Sequence, residues 1–133
     1  MKTAFLDTVG MLAVWDVADQ WHASAEQAFG DLLRKKVSLV STSYVLMECG
    51  NAAARRPYRD RVTRLRSQFL EDGLIFDPTA DELEAAWQAY DRGEAGNAGI
   101  VDQVSFIVMR RLGIQRAFTN DSHFRAAGFE TLF

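Results

Sequence analysis

The chain has little cysteine, proline or histidine: 133 residues contain one Cys, two Pro and two His. The lone Cys49 rules out an internal disulfide and suits a reducing compartment. Pro57 and Pro78 punctuate the chain without dividing it, and no repeat, low-complexity tract or linker appears. Long apolar runs are missing too. No stretch approaches the ~20 residues of a membrane-spanning helix, and the N-terminal MKTAFLDTVG lacks the apolar core of a secretory signal. An excess of positive charge is also absent: 15 basic against 18 acidic residues, net −3, excludes a generic polyanion binder. The expectation is one soluble, cytoplasmic domain spanning residues 1–133.

What is present is the mix of a globular protein, 48% hydrophobic and 25% charged. A domain of this size buries roughly two-thirds of its unfolded surface and needs no covalent staple. The charge is uneven. Residues 55–66, RRPYRDRVTRLR, hold six arginines and one aspartate, a local +5 against −3 overall, so the remainder carries −8. A basic strip on an acidic body suits a polyanion or an acidic partner.

Hydrophobic spacing predicts alternating short strands and helices. Strands are expected at residues 3–6, 37–40, 74–76 and 114–118, with an edge strand at 130–132. A helix over 21–35 puts Trp21, Ala25, Ala28, Phe29 and Leu32 on one face. Ser41, Thr42 and Ser43 offer N-caps for a helix from about 44 to 55. A basic helix runs from about 58 to 71 and stops at Gly73. A helix over 81–90 turns Leu83, Ala86, Trp87 and Tyr90 inward. Residues 92–99, RGEAGNAG, read as a flexible loop. A strong helix follows over Ile100–Leu112, and a short one over 122–127. The pattern implies an α/β fold, an α/β/α sandwich on a mostly parallel four- or five-stranded sheet.

In such a sheet ligands bind beyond the C-terminal strand ends, where the strand order reverses. Asp7 ends the first strand, Asp121 follows the fourth, Glu48 lies just over one turn into the helix after the second, and Asp102 lies in a first helical turn. Right-handed crossovers bring these starts and ends to one rim, so four carboxylates separated by 41, 54 and 19 residues converge there. Like charges at close range cannot all ionise without a cation. All-oxygen donors favour Mg²⁺ or Mn²⁺ over zinc. A metal there acidifies water and offsets phosphodiester charge, so the chemistry that fits is metal-assisted phosphodiester hydrolysis. Each acid alone also suits a plainer role, Asp7 and Asp121 as helix caps and Asp102 as a dipole partner. Glu48, flanked by the apolar Val45, Met47 and Ala52, is the hardest to explain that way.

The chain resembles a PIN domain, specifically the VapC-type ribonuclease toxins, in FLDT at 5–8, SYVLMECGNA at 43–52, VDQVSFIVMRRLGI at 101–114 and TNDSHFRAAGF at 119–129. The resemblance covers nearly the whole chain, and Thr-x-Asp followed by His-Phe is its strongest motif. It implies a Mg²⁺- or Mn²⁺-dependent endoribonuclease whose metal-binding acidic quartet is Asp7, Glu48, Asp102 and Asp121, leaving 5′-phosphate and 3′-hydroxyl ends. Thr8 and Thr119 match hydroxyl positions near such a site. An antitoxin partner and a homodimer are implied as well. The chain departs from the family pattern before Asp102, where Gly99 stands in place of a common Ser or Thr.

Other residues carry paired readings. Arg55, Arg59 and Arg66 suit RNA phosphates or a merely solvated face, and RNA binding predicts a steep salt dependence. Asn51 suits a water-orienting amide or a packing one. Ser105 suits a bond to Asp102 or to its own helix. His123 lacks a nucleophile beside it and reads as structural, as do His22 and Cys49. Trp15, Trp21 and Trp87 read as core or dimer surface. A phosphatase would want an acid at Val9, a receiver would want a late lysine, and no Walker-type loop occurs. The alternative class is a catalytically silent PIN-like module that binds RNA or protein. Retention of all four acids argues against it.

Overall fold

Ala4, Phe5 and Leu6 have no exposed surface, and this run forms the central strand β1 (Thr3–Leu6). In the computed structural model, which describes residues 3–133, β1 is followed by α1 (Thr8–Trp15), α2 (His22–Arg34), β2 (Ser38–Val40), α3 (Ser43–Ala53) and α4 (Arg59–Glu71). Then come α5 (Ala80–Asp91), the single turn α6 (Glu94–Asn97), α7 (Ile100–Leu112), β3 (Arg116–Phe118), α8 (Ser122–Ala126) and β4 (Glu130–Thr131). The strands form one all-parallel sheet in the order β2-β1-β3-β4.

The chain steps from β1 outward to β2, then crosses back to β3, so the order reverses between β1 and β3. With right-handed crossovers that reversal puts α1 and α2 on one face and α7 and α8 on the other. Side chains agree: the Phe118 ring meets Phe29 of α2 at 5.6 Å, while Phe106 of α7 meets Phe124 of α8 at 4.9 Å. Helix α3 touches both α1 and α7, starting at the C-terminal end of β2. Helix α1 lies close on β3 because Gly10 has no side chain: a Cβ there would stand 2.1 Å from the Phe118 carbonyl oxygen. Among the described residues no helix is long and apolar enough to cross a membrane.

Several local expectations are corrected. Residues 74–76 are not a strand. They make one parallel bridge, Ser41 to Ile75, because Thr42 caps α3 immediately afterward and accepts from the Val45 N–H, leaving β2 no further residue to pair. Helix α2 starts after Trp21, whose side chain is largely exposed instead of lying on the inner face. Trp87 and Tyr90 of α5 also face outward and pack edge-on against each other at 5.7 Å. The buried residues of α5 are the small Ala86 and Ala89, which let it approach α7 closely. Only Trp15 of the three tryptophans is buried, against Tyr58.

The stretch 92–99 is a defined structure instead of an open loop. Gly93, Ala95, Gly96 and Asn97 all have positive φ, a conformation that costs a non-glycine residue roughly 1 kcal/mol. Buried Gln103 compensates by donating from Nε2 to the carbonyls of Glu94 (2.9 Å) and Ala98 (3.3 Å). Arg92 pairs with Glu94 at 2.6 Å.

Candidate active site

The strand-order reversal creates a crevice beyond the C-terminal ends of β1 and β3. Asp7 follows β1 directly and is 1% exposed. Thr119 follows β3 directly and donates its hydroxyl to Asp7 Oδ2 at 2.8 Å, joining the two strand ends. The same Thr119 oxygen accepts the Asp121 N–H at 3.1 Å, which places Asp121 as the N-cap of α8. Asp121 Oδ1 in turn accepts the His123 N–H at 2.9 Å. Thr8, in the first turn of α1, donates to Glu48 Oε1 on α3 at 2.8 Å. Asp102 stands in the first turn of α7, whose N-cap Gly99 supplies no side-chain cap.

Asp7, Glu48, Asp102 and Asp121 thus line one open groove of about 530 Å³, together with Thr8, Val9, Asn51 and Ala52. Crowding shows in the electrostatics. Burial, reinforced by the charges of Asp121 and Glu48, pushes Asp7 up to about 7 despite the Thr119 hydrogen bond. Burial first, then the charges of Asp7, Asp121 and Glu48 and a hydrogen bond with Asp121, push Asp102 up to about 8. Two of the four carboxyls therefore hold protons near neutrality in the absence of a cation. Cys49, beneath the groove, is pushed up to about 12, chiefly by burial, so it remains a thiol.

No protein-family model matches the chain. The 23S rRNA-specific endonuclease VapC20 of Mycobacterium tuberculosis is 31% identical over 126 residues, 94% of this chain and 94% of that protein, in both strain CDC 1551 / Oshkosh and strain H37Rv. The chain belongs to the VapC family of ribonuclease toxins. The crystal structure of Mycobacterium tuberculosis VapC20, a sarcin-ricin loop cleaving toxin, superposes with a TM-score of 0.78 at 29% identity, covering 95% of each chain. The VapC fold and the parallel sheet found here therefore agree.

Other residues singled out in the sequence fall differently around this VapC groove. Asn51 is exposed on its wall, one turn beyond Glu48. The Ser105 hydroxyl donates to Val101 O in its own helix at 3.0 Å and not to Asp102, the ordinary alternative for a buried helical serine. Arg55, Arg59 and Arg66 do not enter the groove. Arg59 lines a second hollow across α3 with Gly50, Pro57, Asp60, Val62 and Thr63, and donates to Ala54 O at 3.1 Å. Arg55 and Arg66 are exposed and, among the described residues, have no ion-pair partner.

His22 is structural as expected, its Nδ1 on the Ala13 carbonyl at 2.8 Å. His123, which reads as structural in the sequence, lies beside one of the four acids. Its Nδ1 lies 2.9 Å from Oδ1 of Asp121, one of the acids that line the groove. The signal was the Asp-x-His spacing across a helix N-terminus, which folds the imidazole back toward the cap.

Proposed function

We propose that the protein is a divalent-metal-dependent endoribonuclease, hydrolysing RNA phosphodiester bonds through Asp7, Glu48, Asp102 and Asp121. The observation that carries this reading is the convergence of these four side chains, from four different elements, on one open groove at the strand switch point. The donor set suits Mg²⁺ or Mn²⁺, since carboxylate oxygens match hard divalent cations. When bound, the cation supplies acidified water and positive charge against the phosphodiester.

The chain's own side chains orient and balance this centre. Thr119 and Thr8 hold the carboxylates of Asp7 and Glu48 by one hydrogen bond each. The backbone of α8 holds Asp121. Such preorganisation removes the rotamer freedom that would otherwise loosen the site. Asn51 is proposed to hydrogen-bond a water in the groove. A groove of four acids repels RNA, so the attraction has to come from elsewhere on the molecule. Arg55, Arg59 and Arg66, across α3, are proposed to take RNA phosphates on the way to it. The reading extends to an antitoxin as partner, a homodimer as assembly and the cytoplasm as location.

The test is cleavage of RNA with Mg²⁺ or Mn²⁺ by the wild type, Asp7→Asn and Asp121→Asn. A synthetic sarcin-ricin hairpin of 23S rRNA is the first substrate to try, given the similar VapC20. Metal-dependent cleavage that drops at least ~100-fold in both variants is expected. Undiminished cleavage in both rejects the acidic-groove mechanism.

A further inference from the structure

The four-acid reading leaves one polar side chain beside the acids, His123, without a role. Asp102, Asp121 and His123 each offer a donor atom lying within 4.8 Å of the other two. Among the described residues this trio is the tightest gathering of potential metal donors, and it is a different set from the acidic quartet. Asp7 and Glu48 each have an oxygen engaged by a threonine hydroxyl. His123 Nδ1 is engaged by one of the acids themselves, Asp121, and its side chain is 38% exposed.

We infer that His123 is a nitrogen ligand of the site, joining Asp102 and Asp121 and turning the preference of the site from Mg²⁺ toward Mn²⁺. This rests on the metal-dependent reading above. The 2.9 Å between His123 Nδ1 and Asp121 Oδ1 is a hydrogen-bond length. It is also the edge between neighbouring ligands of an octahedral ion with bonds of about 2.1 Å, which is about 3 Å. The hydrogen shared by these atoms in the metal-free protein stands where a cation would engage both. With its proton on Nε2 instead, the ring presents the Nδ1 lone pair.

The ring is held for that purpose. The His123 N–H donates to the same Asp121 oxygen at 2.9 Å, fixing the direction in which the side chain leaves α8. On the other side Gly96 of the left-handed turn comes up to the ring, where a Cβ would meet Cδ2 at 3.8 Å. The 92–99 segment, tied down by Gln103, thus lies beside the imidazole at its Cδ2 edge. An imidazole among carboxylates adds a borderline donor that transition ions accept more readily than Mg²⁺ does.

The experiment titrates Mn²⁺ and Mg²⁺ into the full metal-free chain, comparing wild type, His123→Gln and His123→Asp. Pulsed electron paramagnetic resonance on bound Mn²⁺ reads nitrogen coupling directly. Calorimetry reads the two affinities, and metal-free melting curves confirm that both variants fold. Nitrogen coupling is expected in the wild type and lost in His123→Gln, with Mn²⁺ affinity down about tenfold and Mg²⁺ affinity changed less than about twofold. His123→Asp should keep Mn²⁺ binding without nitrogen coupling and bind Mg²⁺ more tightly than wild type. Mn²⁺ bound without nitrogen coupling in wild type, or equal losses of both ions in His123→Gln, overturns the inference and leaves His123 a positioning residue for Asp121. No Mn²⁺ binding by wild type at millimolar concentration sinks the metal-dependent reading itself, and this inference with it.

Discussion

The two charged regions on either side of α3 are built in opposite ways. On one side, acids sit at the ends of buried strands, with Asp7 at 1% exposure and its carboxyl pushed up to about 7. On the other, the arginines of α4 and its leading turn stand in solvent, and those that pair do so on the surface, as Arg64 with Asp60 at 2.6 Å. The acids are costly to stability unless something neutralises them, because burial opposes their charged form. The arginines cost almost nothing and return almost nothing to the fold. Strain is therefore stored where chemistry is expected, and electrostatic reach is placed where it is free.

The largest effect expected from breaking this contrast is at Asp7. Asp7→Asn should abolish cleavage by at least ~100-fold while raising the melting temperature of the metal-free protein by about 5 °C, since an amide needs no proton to be neutral. Parallel RNA-cleavage and thermal-melting measurements check both halves. A variant that loses activity and stability together would mean that Asp7 is simply part of the packing.

Next comes pH. Asp7 and Asp102 are raised from the ordinary carboxyl range to about 7 and about 8, so between about 4 and these values the folded protein binds more protons than the unfolded chain. Their contribution to stability is full below about 4 and is lost as pH rises through 7 to 8. The groups facing them are Glu48, Asp121 and His123. In chelator, the melting temperature should fall by about 5 °C or more between pH 5 and pH 8. Mn²⁺ should flatten that slope by stabilising the ionised, folded form. A chelated protein whose melting temperature rises over that interval would contradict the electrostatic picture.

A smaller effect is expected from the other side. Replacing Arg55, Arg59 and Arg66 together by Ala should weaken RNA binding about tenfold at low salt and flatten its salt dependence. Melting should shift by no more than about 2 °C, as for other exposed substitutions. Filter binding across a salt series decides it: an unchanged slope would return these residues to the role of a solvated face. Smallest of all, Arg64→Ala should leave melting within about 2 °C, because both partners of its ion pair are mostly exposed.

Much of this arrangement was legible in the chain because local chemistry and global fold agreed. The apolar run before Asp7 gave one reading as a strand, and β1 ends at Leu6 as expected. The helix carrying Asp102 begins after Gly99 and ends at Gly113, whose φ of 69° serves as its left-handed stop. Side-chain direction was less legible. Trp87 and Tyr90 looked like core by size, yet the alanine stripe of α5 was the face that α7 selected. Ser105 is correctly spaced to meet Asp102, but its hydroxyl found a carbonyl within its own helix. The glycine-rich 92–99 stretch looked unstructured because nothing local announces that Gln103 will bind it.

By itself, then, the order of residues determined the alternation of strands and helices and which side chains stand at strand ends and helix starts, since periodicity, caps and glycine stops act over a few residues. Only the tertiary structure decided which face of α5 is inward, that residues 74–76 make a single bridge, and that His123 comes within reach of Asp102. Those outcomes depend on distances between segments far apart in the chain, where packing and burial outweigh any local preference.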